Sequence, residues 1–315
     1  MTLPLHGLVA ATHTPFTATG ELDLRPIEAQ AAHLLRDGVH AAFIGGTTGE
    51  SHSLTVDERL ALAARWAEVT RGTRLALIIH VGTNCLTDAH MLIRQAGSLQ
   101  VSAISALAPS YFKPRTVPDL VAWCAALAHA APQLPFYFYD IPSMTGVNLP
   151  LDAFLEQAAD RLPGLAGAKV SNPDLIAYQR AAHCSLGRFD LPWGTDECLL
   201  AALALGARGA VGSTYNFAAP LFHRLLAALE RGDLASARIE QFRAVRLVDT
   251  LSRFGYMAAA RATMGMLGVE LGPPRLPHAP LSADQHASLR ADLEAIDFFT
   301  WGRSSSIDLR QQKNP

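Results

Sequence analysis

Short apolar runs bounded by glycine, proline or small polar residues recur along the chain at near-constant spacing. Eight have strand length: Leu8 to His13, His40 to Ile44, Leu75 to His80, Ala103 to Ala108, Leu134 to Tyr139, Leu165 to Val170, Arg188 to Trp193 and Gly209 to Ser213. Alanine- and leucine-rich stretches of helical periodicity lie between them. Strands that are apolar on both faces need cover on both, and eight strand-helix repeats supply it when the sheet closes on itself. The pattern predicts an α/β fold, a (β/α)8 TIM barrel over residues 1–218, with a doubly wound open sheet as the competing architecture.

Local signals mark helix starts. Thr55-Val56-Asp57-Glu58 has capping-box spacing ahead of Leu60, Ala63, Ala64 and Ala67. Thr87 followed by Asp88, and Leu151-Asp152, suggest further starts. The last two repeats are short: Asp174 to Ser185 and Cys198 to Gly206 leave room for about two or three turns each. After Asn216 only helical periodicity continues, in Pro220 to Arg231, Ala235 to Arg253 and Met257 to Leu267. The run Gly272-Pro273-Pro274-Arg275-Leu276-Pro277 must cross without helix, and an amphipathic helix from Ser282 to Phe298 follows. These segments define a helical extension over 219–300 and a flexible tail over 301–315.

Half of the 315 residues are hydrophobic, enough for a large core. A formal net charge of -2 without a lysine/arginine block gives nucleic acid or an anionic membrane no electrostatic footprint. Cys85, Cys124, Cys184 and Cys198 are scattered without a CxxC pair, which argues against a disulfide framework or structural zinc and for a reducing compartment. The N-terminus MTLPLHGLVAATHTPF has no secretory pattern, and no long uncharged apolar run suggests a membrane span. A soluble cytoplasmic protein is expected.

The candidate chemistry begins with an amine. Only three lysines occur, Lys113, Lys169 and Lys313, and Lys169 alone sits in an otherwise apolar strand, Leu165-Ala166-Gly167-Ala168-Lys169-Val170. Desolvation there favours a neutral, nucleophilic amine able to condense with a ketone; the plain alternative is a strand-end lysine with its head in solvent. In a parallel barrel, residues at strand C-termini converge on one mouth. Gly45-Gly46-Thr47-Thr48-Gly49-Glu50-Ser51 ends the second strand, and its hydroxyls and N–H groups suit a carboxylate or phosphate, or else form an ordinary turn. Tyr137 and Tyr139 alternate onto one face of the fifth strand. Tyr139, at the height of Lys169, is a candidate proton shuttle or a core tyrosine. Gly194-Thr195-Asp196-Glu197 places two carboxylates at a loop, suited to a polyhydroxylated ligand, to a metal, or to solvent. His13 and His80 are possible further ligands for a metal, without signature spacing. Gly212-Ser213-Thr214-Tyr215-Asn216 adds hydroxyl donors, and the whole inventory favours sugar or polyol recognition.

The set GTTGES at 46–51, YDIP at 139–142, GAKVSNPDL at 167–175, GTDE at 194–197 and GSTYN at 212–216, with the crossing through Arg275 and Pro277, resembles the N-acetylneuraminate lyase and dihydrodipicolinate synthase family. The landmarks stand in family order over residues 5 to 295. The resemblance implies a (β/α)8 barrel followed by three helices, assembled as a homotetramer of two tight dimers. It implies that Lys169 forms a Schiff base, that Tyr139 transfers protons, and that Thr47 and Thr48 hold a 2-keto acid carboxylate. Tyr111 resembles a tyrosine that reaches the neighbouring subunit's site, its alternative being a local surface aromatic. In the subfamily that condenses an aldehyde acid an arginine follows the YxxP turn; here Met144 stands there, which removes a grip on a distal carboxylate. GTDE resembles instead the sialic-acid lyases, so Asp196 and Glu197, with Gly194 and Ser213, would bind a polyol chain. Asp140 and Ser110 also depart from the family pattern.

The chemistry implied is reversible aldol cleavage of a 2-keto-3-deoxy sugar acid, N-acetylneuraminate, to N-acetylmannosamine and pyruvate. It needs no metal or organic cofactor, because the imine is the electron sink. Rival expectations are another pyruvate-dependent aldolase, a 2-keto-3-deoxy sugar-acid dehydratase, or a noncatalytic sugar-acid sensor on the same barrel.

Overall fold

The computed structural model describes residues 5–302, apart from the Ser185 side chain, and its strands run in parallel. They are β1 (Gly7–Ala11), β2 (Ala41–Ile44), β3 (Ala76–His80), β4 (Ala103–Leu107), β5 (Phe136–Asp140), β6 (Leu165–Val170) and β7 (Gly209–Gly212). Helices α1 (Ile27–Arg36), α2 (Val56–Thr70), α3 (Leu86–Ser98) and α4 (Val117–Ala128) follow the first four strands. A single turn α5 (Pro142–Thr145) precedes α6 (Leu151–Ala158), and α7 (Leu175–His183) and α8 (Leu199–Ala204) complete the ring. The sheet order is β6-β5-β4-β3-β2-β1-β7.

The strand expected over Arg188 to Trp193 does not form as a continuous strand. Its residues bridge β6 and β7 at isolated points, Asp190 to Gly167 and Trp193 to both Val170 and Ala210. Pro192 explains the interruption: its carbonyl accepts from Val170 N–H at 3.0 Å, but it has no N–H to return. The segment still occupies the eighth position, and the barrel closes through it.

Side-chain alternation creates two apolar layers. Phe136 and Phe138 of β5 belong to the outer core between strands and helices, while Tyr137 and Tyr139 belong to the inner core with Val9, Phe43 and Leu107. Toward the N-terminal end of the strands the Tyr137 hydroxyl donates to Asp190 at 2.9 Å.

Beyond the barrel lie α9 (Ala219–Glu230), α10 (Leu234–Ser252), α11 (Tyr256–Met266), α12 (Ala283–Ala295) and α13 (Phe298–Trp301). The single last helix expected from Ser282 to Phe298 is thus two: Ser282 caps α12 with a full capping box, and Asp297, at φ 60°, breaks the chain before α13. The capping box at Thr55 forms as read, whereas α3 starts at Leu86, one residue before Thr87. The tail expected from residue 301 lies outside the described residues from 303 onward.

A polar staple joins this extension to the mouth. Glu50, fully inside the protein, pairs with Arg261 of α11 at 3.5 Å and accepts from Arg275 N–H at 2.9 Å. Arg261 also donates to the carbonyls of Thr14 and Gly272. The turn after β2 is thereby fixed from behind by the helices. No helix among the described residues is long and apolar enough to cross a membrane.

Candidate active site

Ala168 and Val170 face the outer core, so pleating turns Lys169 toward the barrel axis, where it is only 4% exposed. Ladder register places it beside Tyr139 on β5. Its Nζ lies 3.9 Å from the Tyr139 ring centroid and 4.5 Å from that of Phe43. Aromatic faces suit an amine in both states, as apolar cover when neutral and as a cation-π partner when charged.

The Tyr139 hydroxyl lies 3.3 Å from Thr47 Oγ1. Burial alone would raise the phenol's pKa, but the charge of Lys169 and hydrogen bonding with Thr47, Lys169 and Ser171 outweigh it, and the pKa falls below the ordinary tyrosine value. The lowering eases release of the proton from the phenol that packs against the amine.

The two carboxylates of the GTDE turn are not equivalent. Asp196 is buried against β7, where Thr214 donates to Oδ2 from its backbone N–H at 2.9 Å and from Oγ1 at 2.5 Å. Only glycine fits at position 212, because a Cβ there would occupy the space of the Asp196 carboxylate. Burial raises the Asp196 pKa against the pull of Thr214, Tyr215 and Lys169. Glu197 is less enclosed, and burial followed by the Asp196 and Asp249 charges pushes it up too. The turn is held by Trp193 Nε1 donating to Thr195 O at 2.7 Å and by Gln241 of α10 donating to Asp196 O at 3.1 Å.

These groups enclose a cavity of about 570 Å³. Lys169, Tyr139, Thr47, Thr48, Gly194, Asp196, Glu197 and Ser213 all line it, and so does Met144. Tyr111 does not: it is 80% exposed, packs edge-on to Phe112, and its N–H donates to Asn84, as does that of Ser110. Asp140, pleated to the opposite face from Tyr139, does not line the cavity, and burial pushes its carboxyl up to about 6 against a hydrogen bond with Asn172. Neither His13 nor His80 reaches the cavity. Both are buried, with His13 lowered to about 3 by desolvation and Arg261, and among the described residues no cluster of three or more metal-binding side chains occurs.

Sequence reasoning missed the far wall. Ser252 of α10 and Tyr256 and Met257 of α11 close the cavity opposite Lys169, and the Tyr256 hydroxyl is 2.6 Å from Ser213 Oγ. The only local cue was a lone tyrosine opening an otherwise alanine-rich helix just after Gly255.

Residues 4–296 match the dihydrodipicolinate synthetase family. The chain is 37% identical over 301 residues to the N-acetylneuraminate lyase of Rattus norvegicus, with 94% of each chain covered. The solved N-acetylneuraminate lyase of Proteus mirabilis superposes with a TM-score of 0.91 at 38% identity, covering 94% of this chain and 100% of that one. For the N-acetylneuraminate lyase (sialic acid aldolase) of Aliivibrio salmonicida the TM-score is 0.91 at 41% identity, with 94% and 98% covered.

Proposed function

This chain belongs to the dihydrodipicolinate synthetase family, and from that membership we propose that it is a Schiff-base aldolase cleaving N-acetylneuraminate reversibly to N-acetylmannosamine and pyruvate. The observation that carries the reading is the buried Lys169 amine against Tyr139, at the floor of a cavity walled by hydroxyls and carboxylates.

Lys169 Nζ attacks C2 of the open-chain ketone, and loss of water leaves a protonated imine. Thr47 and Thr48, at the turn beside the Tyr139 hydroxyl, receive the substrate carboxylate through neutral donors. The iminium draws the electron pair of the C3–C4 bond into an enamine as the C4 hydroxyl loses its proton. Tyr139, whose ionisation Lys169 favours, takes or relays that proton. The enamine is protonated at C3, and hydrolysis frees pyruvate and restores the amine.

The distal wall decides between substrates. A substrate ending in a carboxylate would meet Asp196 and Glu197 with no guanidinium at Met144 to offset them. A polyol chain would instead donate hydroxyl protons to Glu197, with Ser213 and the Gly194 backbone completing the set, and Asp196 shaping the wall behind. We further propose a cytoplasmic homotetramer of two dimers in which the exposed Tyr111–Phe112 pair enters the neighbouring subunit's site.

Product analysis tests the function. Incubation with N-acetylneuraminate is expected to release N-acetylmannosamine and pyruvate, with little turnover of keto-deoxy-gluconate or of aspartate semialdehyde plus pyruvate. Preference for either of the latter would replace the assignment.

A further inference from the structure

His80 closes β3 with its ring inside the barrel and 1% exposed, and the reaction as described gives it no part. Both ring nitrogens are engaged. Nδ1 lies 2.9 Å from the Gly45 carbonyl oxygen, which can only accept, so Nδ1 carries the proton. The Leu107 N–H points at Nε2 across 3.4 Å, so Nε2 is bare. A single neutral tautomer satisfies both contacts. Burial, then the charges of Arg59, His52 and Lys169, press the same way against the Gly45 hydrogen bond, and hold the pKa well below the usual histidine value.

The ring is also held mechanically. It meets Tyr139 edge-on, with centroids 5.8 Å apart and planes at 87°, and tilts against Phe43 at 6.2 Å. A Cβ on residue 82 would come within 2.8 Å of Nε2, so Gly82 leaves the slot open. Behind it the buried Arg59 guanidinium donates to the carbonyls of His80 at 2.8 Å and Gly82 at 3.0 Å, which fixes the strand end.

The placement matters because β2 and β5 are not neighbours. Two strands separate them, so no ladder hydrogen bond sets the Gly45 turn relative to Tyr139. One imidazole touches the end of β2, the backbone of β4 and the ring on β5. We propose that His80 is a positioning residue for the Schiff-base reaction: its neutral Nδ1–H form locks the turn bearing Thr47 and Thr48 to the ring of Tyr139. Substrate carboxylate and proton-transfer phenol are thereby kept in one geometry. The inference rests on the reading of Lys169 as the imine-forming lysine.

The test is borohydride trapping with pyruvate in wild type, H80F and H80N, each first checked for folding by circular dichroism and thermal melting. Phenylalanine keeps the ring against Tyr139 but loses both hydrogen bonds; asparagine sets an amide N–H near the Nδ1 position and restores the bond to Gly45. The pyruvate concentration for half-maximal trapping is expected to rise about tenfold in H80F, which loses the Gly45 bond and the longer Leu107 contact, and by a clearly smaller factor in H80N, which keeps the Gly45 bond. The trapping rate at saturating pyruvate should fall less than the affinity in both. A merely structural role would lower melting temperature without moving the half-saturating pyruvate concentration, or scale the rate equally at every pyruvate concentration, and either result overturns the inference. So would an acid-base role, seen as a limb of the wild-type pH profile between about pH 5 and 8 that vanishes in H80N. If H80F does not fold, H80N decides, since unchanged half-saturation together with a lost pH limb would also overturn it. Absence of trapping in the wild type would instead overturn the Lys169 reading itself.

Discussion

The hydroxyls of Tyr139 and Thr47 face each other across 3.3 Å, one from β5 and one from the turn after β2, and the amine of Lys169 lies against the same tyrosine ring. Y139F removes the hydroxyl and leaves the ring against Nζ. It should slow cleavage by about 10²- to 10⁴-fold, the usual contribution of a positioned acid-base group, while pyruvate trapping persists. The phenol's lowered pKa gives a direction as well: activity should rise with pH through a value below that of ordinary tyrosine, and the limb should be absent in Y139F. Loss of trapping together with turnover would show that the phenol serves imine formation instead.

Asp140 makes stability depend on pH. Its carboxyl titrates at about 6 against an ordinary value of 3.8, because burial penalises the charge. A carboxyl raised in the folded state stabilises fully below its unfolded pKa, and that contribution is lost as pH rises through about 6. D140N stays neutral throughout. It should match the wild type below about pH 4 and exceed it by roughly 2–3 kcal/mol above about pH 7, as a shift of two pKa units implies. Denaturation midpoints at the two pH values check this; a gap independent of pH would contradict it.

Tyr256 sets the distal wall. Burial foremost, and then the nearby Asp196 carboxylate, keep its phenol protonated, against the hydrogen bond to Ser213 and with Glu197 adding to the rise. Its hydroxyl and Ser213 Oγ, 2.6 Å apart, hold each other at the cavity wall, and either can donate to the other. Y256F should lower kcat/KM for N-acetylneuraminate about tenfold, the size of one hydrogen bond, and leave pyruvate trapping unaffected. Equal losses in both assays would assign Tyr256 to the barrel's packing alone.

The barrel was legible because strands buried on both faces read as continuous apolar runs, and Lys169 stood out as the one lysine inside such a run. Alternation also put Tyr137 and Tyr139 on one face, which the structure turns toward the barrel axis. Arg188 to Trp193 misled, since its apolar content resembles the others while Pro192 denies it a ladder donor. The difference between Asp196 and Glu197 was hidden, because adjacent carboxylates look alike until Thr214, eighteen positions on in the chain, is folded against one of them. Ser252, Tyr256 and Met257 were hidden for the same reason: helices expected only to pack supply part of the cavity, and no local pattern reports which turn of a helix meets a barrel mouth.

The central claim is that the Lys169 amine forms the bond to substrate. Wild-type protein treated with pyruvate and borohydride, then digested and sequenced by mass spectrometry, should carry one reduced pyruvate on the peptide containing Lys169, and K169A should carry none and cleave no N-acetylneuraminate. An adduct at Lys113, or turnover surviving in K169A, would contradict the account.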